Sequence, residues 1–157
     1  MDPFSLSEHV AETLDVGPGT RIFEVDCGSG EFLYPFFANG FVVGGSDADP
    51  GAIEMAIAAM PQGIFQTASA PMLDPAVPWD VVVCRSFAGS VDADHMRGLL
   101  ARMFAKATHA IAILDVPDDR REWMLHALAE VGAQAIQIET AGPSLDSRER
   151  FNAFARV

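Results

Sequence analysis

Short apolar runs alternate along the chain with segments whose apolar residues recur at helical spacing. Val10 and Leu14, four apart, predict one apolar face of a first helix, capped by Ser5 or Ser7 and stopped by Gly17-Pro18-Gly19. Strands are predicted over 21–25, 41–47, 63–67, 79–84, 109–114, 134–140 and 150–157. Between them, helices are predicted over 31–38, over 51–60 with Pro50 in its first turn, over 94–106 behind Asp92, and from Asp118 or Asp119 to Gly132. The 31–38 segment carries Phe32, Leu33, Tyr34, Phe36 and Phe37, apolar almost all round, and is expected to be deeply packed rather than to contact a ligand. Trp79-Asp80-Val81-Val82-Val83-Cys84, rich in β-branched residues, reads as a strand buried on both faces.

Strands that alternate with helices predict an α/β fold, a doubly wound, mainly parallel sheet of seven strands with Rossmann-like winding. The last two strands have only residues 141–147 between them, with Gly-Pro turn chemistry, too few for a parallel crossover; they are expected to form an antiparallel hairpin at one edge. With 157 residues, half of them apolar, and no linker or repeat, a single domain over 1–157 is expected.

Charge narrows the partners. Twenty-two acidic against 10 basic side chains give a formal charge of −12, which repels phosphate backbones and anionic lipid. Nucleic acid and membrane are therefore not expected as partners; a small neutral or cationic molecule or a basic partner protein fits better, with solubility alone as the competing reading of the acidity. The absence of a long apolar run or a basic, apolar leader predicts a soluble, cytoplasmic protein. Cys27 and Cys84 lie far apart, and His9, His95, His109 and His126 lack ligand spacing, so neither a disulfide nor a metal site is expected.

Candidate chemistry centres on Glu24-Val25-Asp26-Cys27-Gly28-Ser29-Gly30, which joins a predicted strand to a predicted helix. Gly28 and Gly30 leave the main chain bare at the carboxyl end of a strand, where open α/β sheets bind ligands. Arg21 to Gly30, with an acid near the strand end and a Cys-Gly-x-Gly turn, resembles the first motif of the class I S-adenosylmethionine-dependent methyltransferases. Val43-Gly44-Gly45-Ser46-Asp47-Ala48-Asp49-Pro50 is similar to their second motif, Trp79 to Cys84 to their fourth strand, and the Arg150 to Arg156 segment to their reversed strand.

The resemblance runs from Thr20 to the C-terminus. It implies S-adenosylmethionine as cofactor, a loop at Glu24, Asp26, Cys27, Gly28 and Gly30 around its methionine part, and Asp47 with Ala48 at its ribose. It further implies Ser69 and Ala70 near the adenine, and Arg85-Ser86-Phe87 facing the transferable methyl group. A dinucleotide-binding reading fits less well, since Gly28-x-Gly30-x-x-Leu33 lacks the third glycine.

Three positions depart from the pattern. Asp26 stands where the family usually has a glycine; it can meet the cofactor's amino group, repel its carboxylate, or cap the following turn. Ser69 stands near the place of an adenine-binding acid and is only a neutral hydrogen-bonding partner. The segments that cover the acceptor in small-molecule methyltransferases are short, which leaves the acceptor site open, covered by a second copy or a partner subunit, or idle. Methyl transfer to a small-molecule acceptor is the leading expectation, and a methyltransferase-like subunit without methyl transfer, or with a repurposed pocket, is the alternative. Asp92, His95 and Asp115 are the candidate general bases, each with an ordinary capping or surface role as its competitor.

Overall fold

The computed structural model describes residues 2–85, 92–141 and 148–157. Seven strands form one sheet: β1 (Arg21–Val25), β2 (Val42–Asp47), β3 (Ile64–Thr67), β4 (Trp79–Arg85), β5 (Ala107–Pro117), β6 (Gln134–Thr140) and β7 (Arg150–Arg156). Their order is β3-β2-β1-β4-β5-β7-β6. The order reverses at β1, where β2 pairs on one side and β4 on the other, both parallel. β7 runs antiparallel to β5 and β6, so the predicted hairpin closes one edge of the sheet with β6 outermost.

Side chains alternate across the strands, so successive residues of β1 enter different cores. Phe23 and Val25 join the layer under α4 (Ala93–Lys106) and α5 (Arg121–Glu130). Ile22 joins the layer under α1 (Pro3–Leu14), α2 (Tyr34–Ala38) and α3 (Pro50–Ala59), and Glu24 points to the same side. That second layer is rich in aromatic rings: Phe32, Phe36 and Phe41 pack edge to face with centroids 5.2 and 5.1 Å apart. Glu24 is thus a carboxylate set in an apolar layer.

Several local expectations are revised. α1 is capped by Asp2, whose side chain accepts from the Phe4 and Ser5 amides, with Pro3 in the first turn. Ser7 lies inside the helix, where its Oγ donates to the Phe4 carbonyl. α2 begins at Tyr34 rather than near residue 31 because Pro35, which has no N–H, can occupy only a first turn. Neither Asp118 nor Asp119 caps α5; both sit in a short 3₁₀ turn, Asp118–Arg120, before it. β5 runs three residues past the predicted end, through a register shift between Ile113 and Val116 that contains Asp115 at φ 60°. The loop predicted over 141–147 lies, beyond Ala141, outside the described residues.

Candidate functional site

The chain leaves β1 through a turn folded back over the end of β2. The Cys27 amide donates to the Ser46 carbonyl (3.0 Å), and the Gly30 amide donates to the Cys27 carbonyl (3.0 Å). Two glycines make opposite contributions. A Cβ on Gly45 would lie 2.8 Å from Cys27 Sγ and 2.9 Å from the Glu24 carbonyl, so the turn can settle on β2 only because Gly45 has none. Gly28 has φ +53°, and a Cβ there would meet nothing within 4 Å, so its exposed edge faces open space.

Asp47, at the end of β2, spans the turn. Its Oδ2 accepts from the Gly28 amide (2.8 Å) and its Oδ1 from the Asp49 amide (2.9 Å). Both oxygens are held in place, and each keeps a lone pair for another donor. A carboxylate fixed in this way is suited to two neighbouring hydroxyl groups.

Glu24 is 0% exposed, and its Oε1 accepts from Arg85 Nε at 2.9 Å. Its Oε2 is buried with no hydrogen-bond partner among the described residues. Arg85 also lies over the Phe32 ring, 5.0 Å from its centroid, which fixes the guanidinium. Burial pushes the Glu24 carboxyl up to about 8; Arg85 opposes the shift, and the charges of Asp26 and Asp47 add to it. The partner of Arg85 is therefore this buried glutamate.

Asp26 occupies the left-handed region at φ 54°, a conformation that is costly for most residues with a Cβ. Partial burial, then the charge of Asp47, raise its carboxyl above the ordinary range. It does not cap the following helix, since α2 begins later without a side-chain cap. Asp26→Gly is expected to stabilise the fold by about 1 kcal/mol, worth roughly 2 to 4 °C in Tm for a chain of this size. In the same variant, weaker binding of S-adenosylhomocysteine would assign the carboxylate to an ammonium group, and tighter binding would assign it to repulsion of a carboxylate.

The remaining sequence candidates separate. Ala48 is exposed beside Asp47, and Ser69 is exposed in the loop after β3, which is tied to β2 by the Ala68 amide donating to the Asp47 carbonyl (2.9 Å). The Ala70 side chain is buried in the core on the α4 side of the sheet. Cys27 and Cys84 are buried free thiols; desolvation pushes Cys27 up to about 12 and Cys84 up as well, so neither is a nucleophile at neutral pH. Ser86 and Phe87 lie outside the described residues. Asp92 caps α4 through the Asp94 and His95 amides and also holds the His95 ring at 2.7 Å, the ordinary structural role.

Asp115, by contrast, lines a cavity of about 400 Å³ together with Arg85. His9, Glu139 and Asn152 share that wall, and sequence reading did not single them out as a group. The signal was weak, because His9 and Glu139 stand 130 positions apart and no local spacing links them.

No protein-family model and no curated protein matches the chain by sequence. Solved structures match it by shape. Magnesium protoporphyrin IX methyltransferase from Synechocystis PCC 6803, solved with bound SAM, superposes with a TM-score of 0.80 at 17% identity, over 98% of this chain and 79% of that one. CalS10, an amino pentose methyltransferase from Micromonospora echinaspora solved with SAM bound, gives 0.78 at 16% identity over 100% and 92%. The N-methyltransferase NodS from Bradyrhizobium japonicum WM9 gives 0.74 at 18% identity over 98% and 96%. The chain thus has the fold of the class I S-adenosylmethionine-dependent methyltransferases.

Proposed function

We propose that the protein binds S-adenosylmethionine in the cradle of Glu24, Gly28 and Asp47 and transfers its methyl group to a small-molecule acceptor. The observation that carries this reading is the buried Glu24 oxygen that has no hydrogen-bond partner among the described residues. A buried carboxyl oxygen left without a partner costs about 1 to 3 kcal/mol, and the α-ammonium of an amino-acid ligand at the carboxyl end of β1 would supply one as the group ionises. Asp47, with both oxygens fixed and a lone pair free on each, suits the ribose diol, and the bare edge of Gly28 gives the ligand room. The neighbouring acids Asp26 and Asp47, joined by Glu24 once it is ionised, also favour a ligand that carries both an ammonium and a sulfonium.

When bound, the cofactor supplies a methyl group on a good leaving group. The protein's share of the work is alignment: Asp47 holds one end of the ligand, and Glu24, oriented by Arg85, holds the other. Among the described residues no helix is long and apolar enough to cross a membrane.

Calorimetry with S-adenosylhomocysteine tests the reading, and no binding at millimolar ligand would overturn it. Asp47→Ala is expected to weaken that binding about tenfold or more, since a charge-assisted hydrogen bond is worth roughly 1.5 to 3 kcal/mol. Unchanged affinity would take Asp47 off the ribose.

A further inference from the structure

The cavity of about 400 Å³ that Asp115 lines adjoins the cradle through Arg85, the side chain that also donates to Glu24. Its volume lies in the range of small-molecule sites. Leu6 and Leu114 give it an apolar patch, and its chemistry comes from His9 on α1, Asp115 on β5 and Glu139 on β6. His9 Nε2 lies 2.5 Å from Glu139 Oε2, and the imidazole stands edge-on to Phe154 with centroids 6.2 Å apart. The ring is therefore held by a carboxylate and by an aromatic side chain, on a helix and strands that are remote in sequence.

Asp115 is also held. Its amide donates to Asn152 Oδ1 (3.0 Å), and Arg150 Nη1 stands 3.5 Å from its Oδ2. Arg150 offsets part of the Asp115 charge, but Asp115 and Glu139 line the cavity and Arg150 does not, and the chain as a whole carries −12. That field draws in cations and disfavours anions.

Resting on the methyl-transfer reading above, we propose that this chamber binds a small amine and that His9, oriented by Glu139, is the base that deprotonates it. With Nε2–H donated to Glu139, Nδ1 keeps its lone pair as a proton acceptor, and the carboxylate stabilises the imidazolium that forms. A bound R–NH₃⁺ gives one proton to Nδ1. The nitrogen lone pair so freed forms the N–CH₃ bond as the C–S bond of the sulfonium breaks and its electron pair returns to sulfur. The products are a neutral thioether and a methylated ammonium, and the imidazolium returns its proton to water, its side chain being 36% exposed.

The test titrates the protein, without cofactor, with benzylamine, benzyl alcohol and benzoate. Benzylamine is expected to bind at least tenfold tighter than the alcohol, benzoate weakest, and Glu139→Gln to erase the preference. With S-adenosylmethionine added, transfer to benzylamine and to a panel of primary amines is followed by formation of S-adenosylhomocysteine. His9→Ala is expected to lower transfer about 100-fold, within the span of general-base effects, while benzylamine affinity stays within threefold.

Equal binding of amine and alcohol, no transfer to any amine, or transfer in His9→Ala within tenfold of the parent overturns the proposal. A parallel titration with S-adenosylhomocysteine separates the two readings. If it binds but the chamber shows no amine preference, the chamber assignment alone fails; if the amine preference stands without it, the cofactor assignment fails.

Discussion

Affinity for S-adenosylhomocysteine is expected to climb about tenfold per pH unit between pH 6 and 7, level off near pH 8, and in Glu24→Gln to lie roughly 100-fold lower at pH 8 with no such climb. Burial holds the Glu24 carboxyl up at about 8, so at neutral pH the empty cradle keeps most of this group protonated. A ligand ammonium prefers the ionised form. Below pH 8 binding must therefore expel a proton, and linkage makes the affinity follow the ionised fraction. Calorimetry in two buffers of different ionisation enthalpy reads that release directly, and a parent profile as flat as that of the variant would show that the ligand does not meet Glu24.

The same residue has an opposite signature in the empty protein. A carboxyl that titrates near 8 when folded and near its ordinary 4.5 when unfolded contributes stability that is fully present below 4.5. That contribution is lost as pH rises through the window to 8, on the order of 5 kcal/mol in all. Glu24→Gln lacks this titration, so its Tm is expected to fall less across this window than that of the parent. Cofactor binding and fold stability thus pull in different directions with pH, both through one buried acid.

How much of this the sequence carried depends on the range of each interaction. β1 and its turn were legible, because the apolar run Arg21–Val25, the acids and the glycines are neighbours in the chain. The position of Asp47 was legible for the same reason: strand, acid and the Asp49-Pro50 helix start follow one another. Two local signals were present but outweighed. Asp2 followed by Pro3 is a helix start, and Pro35 rules out a helix interior, yet the apolar periodicity of the flanking residues pointed elsewhere. The Arg85 contact to Glu24, 61 residues away, and the His9 contact to Glu139 depend on which strands lie side by side and on which face each helix covers. Those facts exist only after the sheet is assembled, and they supply most of the chemistry.

A second pair of outcomes separates a glycine kept for the fold from one kept for a ligand. Gly45→Ala sets a methyl group 2.8 Å from Cys27 Sγ and 2.9 Å from the Glu24 carbonyl, and the second of these is backbone that cannot rotate away. About 3 kcal/mol of overpacking is expected, a fall in Tm of roughly 6 to 12 °C. Gly28→Ala has open space around its new methyl group and bears only the strain of φ +53°, roughly 1 to 2 kcal/mol. Its larger effect is expected on binding, a loss of at least tenfold for S-adenosylhomocysteine, because the methyl group takes the room into which a nucleoside would press. Thermal melts and calorimetry on the two variants should therefore rank them in opposite orders. If Gly28→Ala binds as the parent does, the space beside that glycine is not where the cofactor lies, and the cradle loses its floor.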